Sequence, residues 1–278
     1  MFIQSAPPGR PHRAIMMHDH TALSGQFARA FGNAQFERPF PLDLVIYIIA
    51  NHDAGWAAFD RDPVTDPKTG LPYTVFGTPA RYILPTSKGS PDFNQRHHPY
   101  CGLLSSMHTW GIYNGRYGFT SAGRLNRIGA EDRPAVDAML AGELERQATL
   151  KAKLGASAET ADWVEEGRLF QNYKLLQFCD LLAIYFNTIH AGERSEQRFT
   201  HVPISRDRDV TVTICPKSSG IYALSPFPFV ADGAEFAFAG RTVLPGQHER
   251  EGGWAGVIAR APTEWETFRL VPGRLVPG

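Results

Sequence analysis

The strongest constraint on the fold is an apolar stretch, Leu44 to Ala50, that ends beside two polar residues, His52 and Asp53. Residues this apolar are buried in a folded chain, so the two polar side chains are carried to the edge of the core. There a metal ion or hydrogen-bond partners must satisfy them, because an unpartnered buried polar group is costly. The alternative is that both residues only cap a helix end, His52 at the helix dipole and Asp53 in the following turn.

Ligand-type residues recur on other predicted helices. His20 begins a helical pattern, His108 lies in SSMHTWGIY, and Asp180 interrupts the apolar segment LLQFCDLLAIY. Helical bundles build metal centres from side chains that converge from facing helices. An aspartate in so apolar a segment needs a metal cation, hydrogen-bond donors or a buried Arg or Lys partner.

The order of these residues, H…HD…H…D, resembles the HD-domain superfamily of metal-dependent phosphohydrolases. The phrases HDHTALSGQFARAFG, HDAGWAAFD, DPKTGLPY and YKLLQFCDLLAIY are similar to those of an uncharacterised bacterial domain-of-unknown-function family with an HD-like core. The resemblance covers residues 12–190. It implies that the metal ligands are His20, His52, Asp53 and Asp180, with His108 as a further ligand.

The resemblance also implies a reaction, the metal-assisted hydrolysis of a phosphoester in a small molecule or nucleotide. Asp53 and His108 are then the catalytic residues. Imidazole and carboxylate ligands suit iron, manganese, zinc or nickel, as one divalent ion or two. Two other functions stay open from the sequence, an HD-like di-iron oxygenase and a non-catalytic module that binds a metal or another ligand.

Two choices between neighbouring histidines also stay open. His18 competes with His20 for the first ligand position, since the two lie on either side of a predicted helix start. His97 and His98 lie in a polar segment, and either would join the site if it held two ions.

The predicted fold is mainly α-helical, an HD-like helical bundle with a small C-terminal antiparallel β module (α+β overall). Apolar spacing of three and four residues predicts helices at about 20–31, 42–51, 100–113, 133–154 and 158–188. The segment 57–99 is rich in Pro, Gly and Asp and is interpreted as a long irregular insertion that borders the site as a lid. Alternation in VTVTI, FAFAG and WAGVIA predicts a β module over 197–278, packed on a metal-binding domain of residues 1–196.

Charge and cysteine content limit the partners and the compartment. Lys plus Arg and Asp plus Glu number 28 each, so no net field attracts nucleic acid or an acidic membrane. The three cysteines are far apart, and no stretch approaches the roughly 20 apolar residues of a membrane span. We therefore expect a cytoplasmic protein with a small-molecule substrate, phosphorylated or not, and with no nucleic-acid or membrane partner. The sequence pattern indicates no particular oligomeric state.

Overall fold

A seven-stranded sheet organises the computed structural model, which describes residues 1–230 and 233–273. Its strands are β1 (Phe2–Gln4), β2 (His12–Ile15), β3 (Gln197–Pro203), β4 (Asp209–Ser218), β5 (Ile221–Ser225), β6 (Ala234–Val243) and β7 (Thr263–Pro272). Their order across the sheet is β1-β2-β6-β7-β5-β4-β3. Neighbouring strands are antiparallel except β5 and β7, which run parallel, and the whole sheet curls into a half-barrel.

The helical segments, in chain order, are α1 (Met17–Ala30), α2 (Leu42–Ile49), α3 (Ala57–Arg61), α4 (Ala80–His97), α5 (Pro99–Tyr113), α6 (Gly115–Gly118), α7 (Arg133–Gly155), α8 (Glu166–Thr188), α9 (Gln247–Arg250) and α10 (Trp254–Arg260). Of these, α6 is a short left-handed turn rather than a regular helix. Among the helices of the described residues, none combines the length and the apolar character of a membrane span.

Aromatic side chains hold the two central helices against the sheet. Phe186 of α8 stacks on Phe268 of β7 with ring centroids 3.7 Å apart, and Phe27 of α1 lies 4.8 Å from Phe236 of β6. The side-chain amide of Gln4 in β1 donates a hydrogen bond to the carbonyl oxygen of Phe186 at 2.9 Å. These contacts fix α1 and α8 relative to each other, so residues on their facing sides are brought close together.

The prediction of a helical bundle with a small C-terminal β module is wrong. Helices make up 50% of the chain and strands 20%, and the sheet is a substantial half of the architecture. It also begins at the N-terminus, because β2 pairs with β6 in the register His12 to Val243. Strand β1 pairs with β2, and β2 pairs with β6 at the other end of the chain, so local sequence does not reveal the sheet to which these two short strands belong.

One of the three predicted C-terminal strands is a helix. VTVTI and FAFAG do form strands, within β4 and β6, whereas WAGVIA forms α10. A short apolar run fits both the helical and the strand period, so its pattern does not decide between them. Trp254 and Val257, three residues apart in α10, are both buried, as expected for one face of a helix.

The irregular insertion predicted over 57–99 contains an 18-residue helix, α4. Two prolines inside it, Pro85 and Pro91, resemble helix breakers in the sequence. The polar residues of its buried face, Thr86, Ser90 and Asn94, each donate a side-chain hydrogen bond to a carbonyl oxygen of their own helix. Apolar periodicity is therefore missing from a helix whose inward face consists largely of small polar residues.

Two predicted helices begin at other residues because of their caps. Helix α1 begins at Met17, three residues before His20, and the Met17 amide donates a hydrogen bond to the Asp60 carboxylate, 43 positions away. Helix α8 begins at Glu166 rather than near residue 158, because the Glu165 side chain accepts hydrogen bonds from the amides of the first turn. The cap of α1 comes from a distant segment, so local sequence does not reveal it.

Candidate metal centre

The five residues expected at a metal site lie in one cluster, and His52 is at its centre. Oδ1 of Asp180 is 3.2 Å from Nε2 of His20 and 3.7 Å from Nε2 of His52. Oδ2 of Asp53 lies 3.8 Å from the same His52 nitrogen. The His108 ring packs edge-on to the His52 ring, with centroids 4.9 Å apart. Four separate segments, α1, the turn after α2, α5 and α8, supply these side chains.

The spacing suits a metal ion. Two groups of three residues share His52, one with His20 and Asp180 and the other with Asp53 and His108. Within each group the ligand atoms lie within 4.8 Å of one another. Ligands of one ion are typically ~3.3 to 4.3 Å apart, given bonds of ~2.0 to 2.2 Å. Shifts of a few tenths of an ångström would therefore bring the atoms to bonding distance.

Buried nitrogen atoms without partners favour an ion at this place. Among the described residues, Nε2 of His52 and Nε2 of His108 have no hydrogen-bond partner, although both rings are almost fully buried. An orphaned polar atom in a core normally costs about 1 to 3 kcal/mol. Nε2 of His52 faces the carboxylates of both Asp180 and Asp53, and His108 is grouped with His52 and Asp53. A divalent cation at this place would use the unpartnered lone pair of His52.

The Nδ1 atoms of His20 and His52 both have hydrogen-bond partners, and these partners decide which tautomer each neutral imidazole adopts. Nδ1 of His20 lies 2.8 Å from Oδ1 of Asn187, and Nδ1 of His52 lies 2.8 Å from the carbonyl oxygen of Ile49. Because both partners are acceptors, each Nδ1 carries a hydrogen, and a ring in its neutral form has its lone pair at Nε2. Metal-binding histidines are typically oriented in this way.

His52 therefore has two roles in the structure. Its Nδ1 caps the carbonyl of Ile49 at the end of α2, and its Nε2 faces the cluster. The helix-capping and metal-site interpretations of the sequence are thus compatible. Because only Nε2 is free, His52 can be a ligand of only one ion.

His108 is held through a side-chain amide. Its Nδ1 lies 2.7 Å from Nε2 of Gln177, while Oε1 of Gln177 is without a partner among the described residues. In this orientation the amide donates to Nδ1, and the ring hydrogen is on Nε2. Turning the amide over, which changes no volume, would let Oε1 accept from Nδ1 and leave the Nε2 lone pair for a metal.

Polar residues on one face of α8 orient the histidines of the cluster. Gln177, Asp180 and Asn187 are buried at intervals of three and seven residues, so they lie on one face of the helix. Asp180 contacts the cluster directly, Gln177 orients His108, and Asn187 orients His20. Neither Gln177 nor Asn187 is among the site residues predicted from the sequence. The signal was present, because both are polar residues on the Asp180 face of an apolar helix.

The charges in the cluster are strongly coupled. Burial lowers the pKa of His52, but the carboxylates of Asp180 and Asp53 outweigh burial and raise that pKa to about 9. Burial and the nearby positive charge of His52 lower the pKa of His108 to about 4. Burial opposes ionisation of Asp180, yet contacts with His20 and His52 prevail and hold its pKa well below the usual range. A bound metal cation would take the place of the proton on Nε2 of His52.

A small cavity adjoins the cluster on the side of Asp53 and His108. Its volume is about 30 Å³, and Arg124 forms part of its wall. A larger cavity, about 500 Å³ in volume, has Ile112 and Arg124 in common with it. The residues Val75, Ser87 and Ser90 of the segment 57–99 also line the small cavity, so this segment does border the site.

Comparison with known proteins identifies a family. A family model described as a protein of unknown function (DUF3891) matches residues 9–244 of the 278-residue chain. The chain belongs to the DUF3891 family. No curated protein and no solved structure matches it.

Three other histidines considered for the site of this DUF3891 protein, His18, His97 and His98, lie outside the cluster. The His18 side chain is 74% exposed and contacts Asp19, so the structure brings His20 rather than His18 into the site. His97 is exposed and stacks on Tyr47 with centroids 3.5 Å apart. His98 accepts a hydrogen bond from the Tyr100 amide at the start of α5. Neither belongs to the metal-ligand groups found among the described residues.

Proposed function

We propose that this protein is a metal-dependent hydrolase of phosphoesters. The observation that supports it most strongly is the pair of buried, unpartnered Nε2 atoms of His52 and His108, in a cluster that also contains the carboxylates of Asp53 and Asp180. Three neutral imidazoles with two carboxylates carry a charge of minus two, which a divalent cation neutralises. The donor set suits iron, manganese, zinc or nickel.

Each residue of the cluster has a distinct part in this proposal. His20, His52 and Asp180 hold the ion, and Asp53 and His108 line the adjoining cavity. When bound, the ion acidifies a water molecule in its vicinity and polarises the phosphoryl oxygen. Asp53 orients that water and accepts its proton. His108, whose pKa is lowered to about 4 by burial first of all, is neutral at pH 7 and orients the substrate.

The reaction is the addition of water across the ester bond. The water oxygen bonds to phosphorus, the bond from phosphorus to the ester oxygen breaks, and that oxygen leaves with the electron pair and takes up a proton. The products are an alcohol and a phosphate. We place this reaction in the cytoplasm, since Cys101, Cys179 and Cys215 are free thiols.

The structure gives less support to the two other functions considered. A di-iron oxygenase needs ligands for a second ion, and His97 and His98 lie outside the cluster. A purely structural metal is normally enclosed by its ligands, whereas here a cavity lined by Arg124 adjoins Asp53 and His108. The guanidinium of Arg124 in the wall of that cavity is a group of the kind that binds phosphate. The hydrolase proposal does not depend on a helical-bundle fold.

The direct test is release of inorganic phosphate from p-nitrophenyl phosphate, nucleotides and pyrophosphate. The protein is loaded separately with manganese, iron, zinc and nickel, and Asp53→Asn is assayed beside the wild type. We expect phosphate release that requires metal and falls by about a hundredfold or more in the variant. Metal-loaded protein that hydrolyses none of these substrates, or an equally active Asp53→Asn variant, would contradict the proposal.

A further inference from the structure

Two arginines beside the candidate metal centre have no carboxylate partner among residues 1–230 and 233–273. Arg116 and Arg124 are both partly buried and line the larger cavity, and Arg124 also lines the small cavity that reaches Asp53. The side chain of Arg124 donates one hydrogen bond, to the carbonyl oxygen of Val75 at 3.1 Å. Because a guanidinium carries five N–H donors, most of its donors are free for a ligand.

The larger cavity is cationic. Arg127, which is exposed, lines it together with Arg116 and Arg124, and Asp132 is the one acidic residue in its lining. Three positive charges against one negative charge attract an anion, although the whole chain has no net charge. Cavities of a few hundred cubic ångströms typically hold a small organic molecule.

The backbone at Arg116 has an unusual, left-handed conformation. Arg116 and Tyr117 have φ angles of 54° and 58°, between two glycines, Gly115 and Gly118, that are also left-handed. Such conformations are rare for residues with a side chain, and they concentrate at functional sites. The Tyr117 hydroxyl anchors the turn by donating a hydrogen bond to Oε1 of Gln147 at 3.1 Å.

We propose that Arg124 and Arg116 form a two-part anion site, which selects substrates with two adjacent negatively charged groups, such as diphosphate esters. Arg124 binds the phosphate that lies beside Asp53 and His108. Arg116 binds the second phosphate, in the larger cavity, where the remainder of the molecule also lies. Planar guanidinium groups recognise phosphate through paired, charge-assisted hydrogen bonds. This inference rests on the proposed hydrolase function and names its substrate class.

Calorimetric titration with inorganic phosphate and with inorganic pyrophosphate tests the inference. The full-length protein is first stripped of metal and dialysed free of chelator, so that neither probe binds through an ion. We expect pyrophosphate to bind the wild type at least tenfold more tightly than phosphate. Arg124→Gln should weaken the binding of both probes by about tenfold or more.

The Arg116 variant separates the two parts of the site. Arg116→Gly removes the guanidinium and suits the left-handed backbone, so the fold is kept. It should lose the preference for pyrophosphate while its phosphate affinity stays within about threefold of the wild-type value. Arg198→Gln removes an equally positive, exposed side chain on β3 and should bind both probes like the wild type.

The inference is overturned if the wild type shows no preference for pyrophosphate, or if both cavity variants bind as the wild type does. An equal loss in Arg198→Gln would also overturn it, because binding would then reflect overall charge. Metal content and phosphate release, measured on the same preparations, distinguish a failure of the anion site from a failure of the hydrolase proposal. Arginine-dependent binding without metal or hydrolysis rejects the hydrolase alone, whereas an active metalloprotein that is indifferent to the arginine changes rejects the anion site alone.

Discussion

Oδ1 of Asp180 lies 3.2 Å from Nε2 of His20, although 160 positions separate the two residues in the sequence. The same oxygen is 3.7 Å from Nε2 of His52. The partners of Asp180 are therefore imidazoles rather than the Arg or Lys that would make it a structural ion pair. Imidazoles release their protons at moderate pH, so this arrangement can exchange protons for a metal ion.

Asp180→Asn should destabilise the metal-free protein at pH 7 by about 3 kcal/mol, because the buried positive charge of His52 loses its nearest carboxylate. Urea unfolding in the presence of chelator measures this loss without any contribution from metal. The matched control is Asp43→Asn, at an exposed position in the first turn of α2, for which we expect less than about 1 kcal/mol. Equal stability of Asp180→Asn and the wild type would show that the contact contributes nothing.

The stability of the metal-free protein should fall as the pH rises from about 6.5 to about 9. The pKa of His52 is raised to about 9 in the folded state by Asp180 and Asp53 against the effect of burial. The folded protein then holds a proton that the unfolded chain has lost, so the stabilisation is complete below pH 6.5 and lost above pH 9. Its size is about 3 kcal/mol, at 1.36 kcal/mol for each pKa unit.

Unfolding free energies at several pH values, with chelator, check this dependence. His52→Asn lacks the titrating ring and should show no such fall in the same pH window. A wild-type profile that is flat, or that rises between pH 6.5 and 9, would contradict the proposed charge state of His52.

Asn187→Ala should weaken metal binding by about ten- to a hundredfold, because Nδ1 of His20 loses the acceptor that orients the ring. Asn172 is the matched control. It is also a buried asparagine of α8, but it donates hydrogen bonds to the Phe40 carbonyl and the Tyr100 hydroxyl instead. Asn172→Ala should lose stability and keep its metal affinity. Competition with a fluorescent chelator measures both affinities, and an equal effect of the two changes would refute the orienting role.

Gly55→Ala should destabilise the protein by about 2 to 3 kcal/mol, since an added methyl group would lie 2.2 Å from the Thr86 carbonyl oxygen in α4. The turn that carries Asp53 is packed directly on this helix. Gly142→Ala, where the added carbon meets no atom within 4 Å, should instead stabilise α7 by about 0.5 to 1 kcal/mol. Thermal unfolding of the two variants gives the comparison, and similar shifts would contradict the close packing of Gly55.

The candidate site was more predictable from the sequence than the fold. His52, Asp53 and Asp180 could be predicted as site residues because each is polar and lies beside or within an apolar helix. Burying such a residue costs free energy unless it has a partner, so its position in the sequence already indicates a site. Helices α5 and α7 were also predicted, in their case from the spacing of their apolar residues. Whether the clustered residues bind metal is still a prediction.

The features that the sequence did not reveal depend on contacts between distant segments. Strand β2 pairs with β6 near the other end of the chain, and Asp60 caps α1 from 43 positions away. Helix α4 buries Thr86, Ser90 and Asn94 rather than apolar side chains, so it lacks the stripe on which helix prediction relies. Its side-chain hydrogen bonds to its own backbone make that burial tolerable.

Elemental analysis of the protein, expressed and purified without added metal, tests the central claim most directly. We expect close to one ion of iron, manganese, zinc or nickel per chain in the wild type, because the two ligand groups share the single free nitrogen of His52. His52→Asn should contain less than about a tenth of that amount. A wild type that contains no metal and takes up none of the four ions on dialysis, or a His52→Asn variant with the same content as the wild type, would contradict the account.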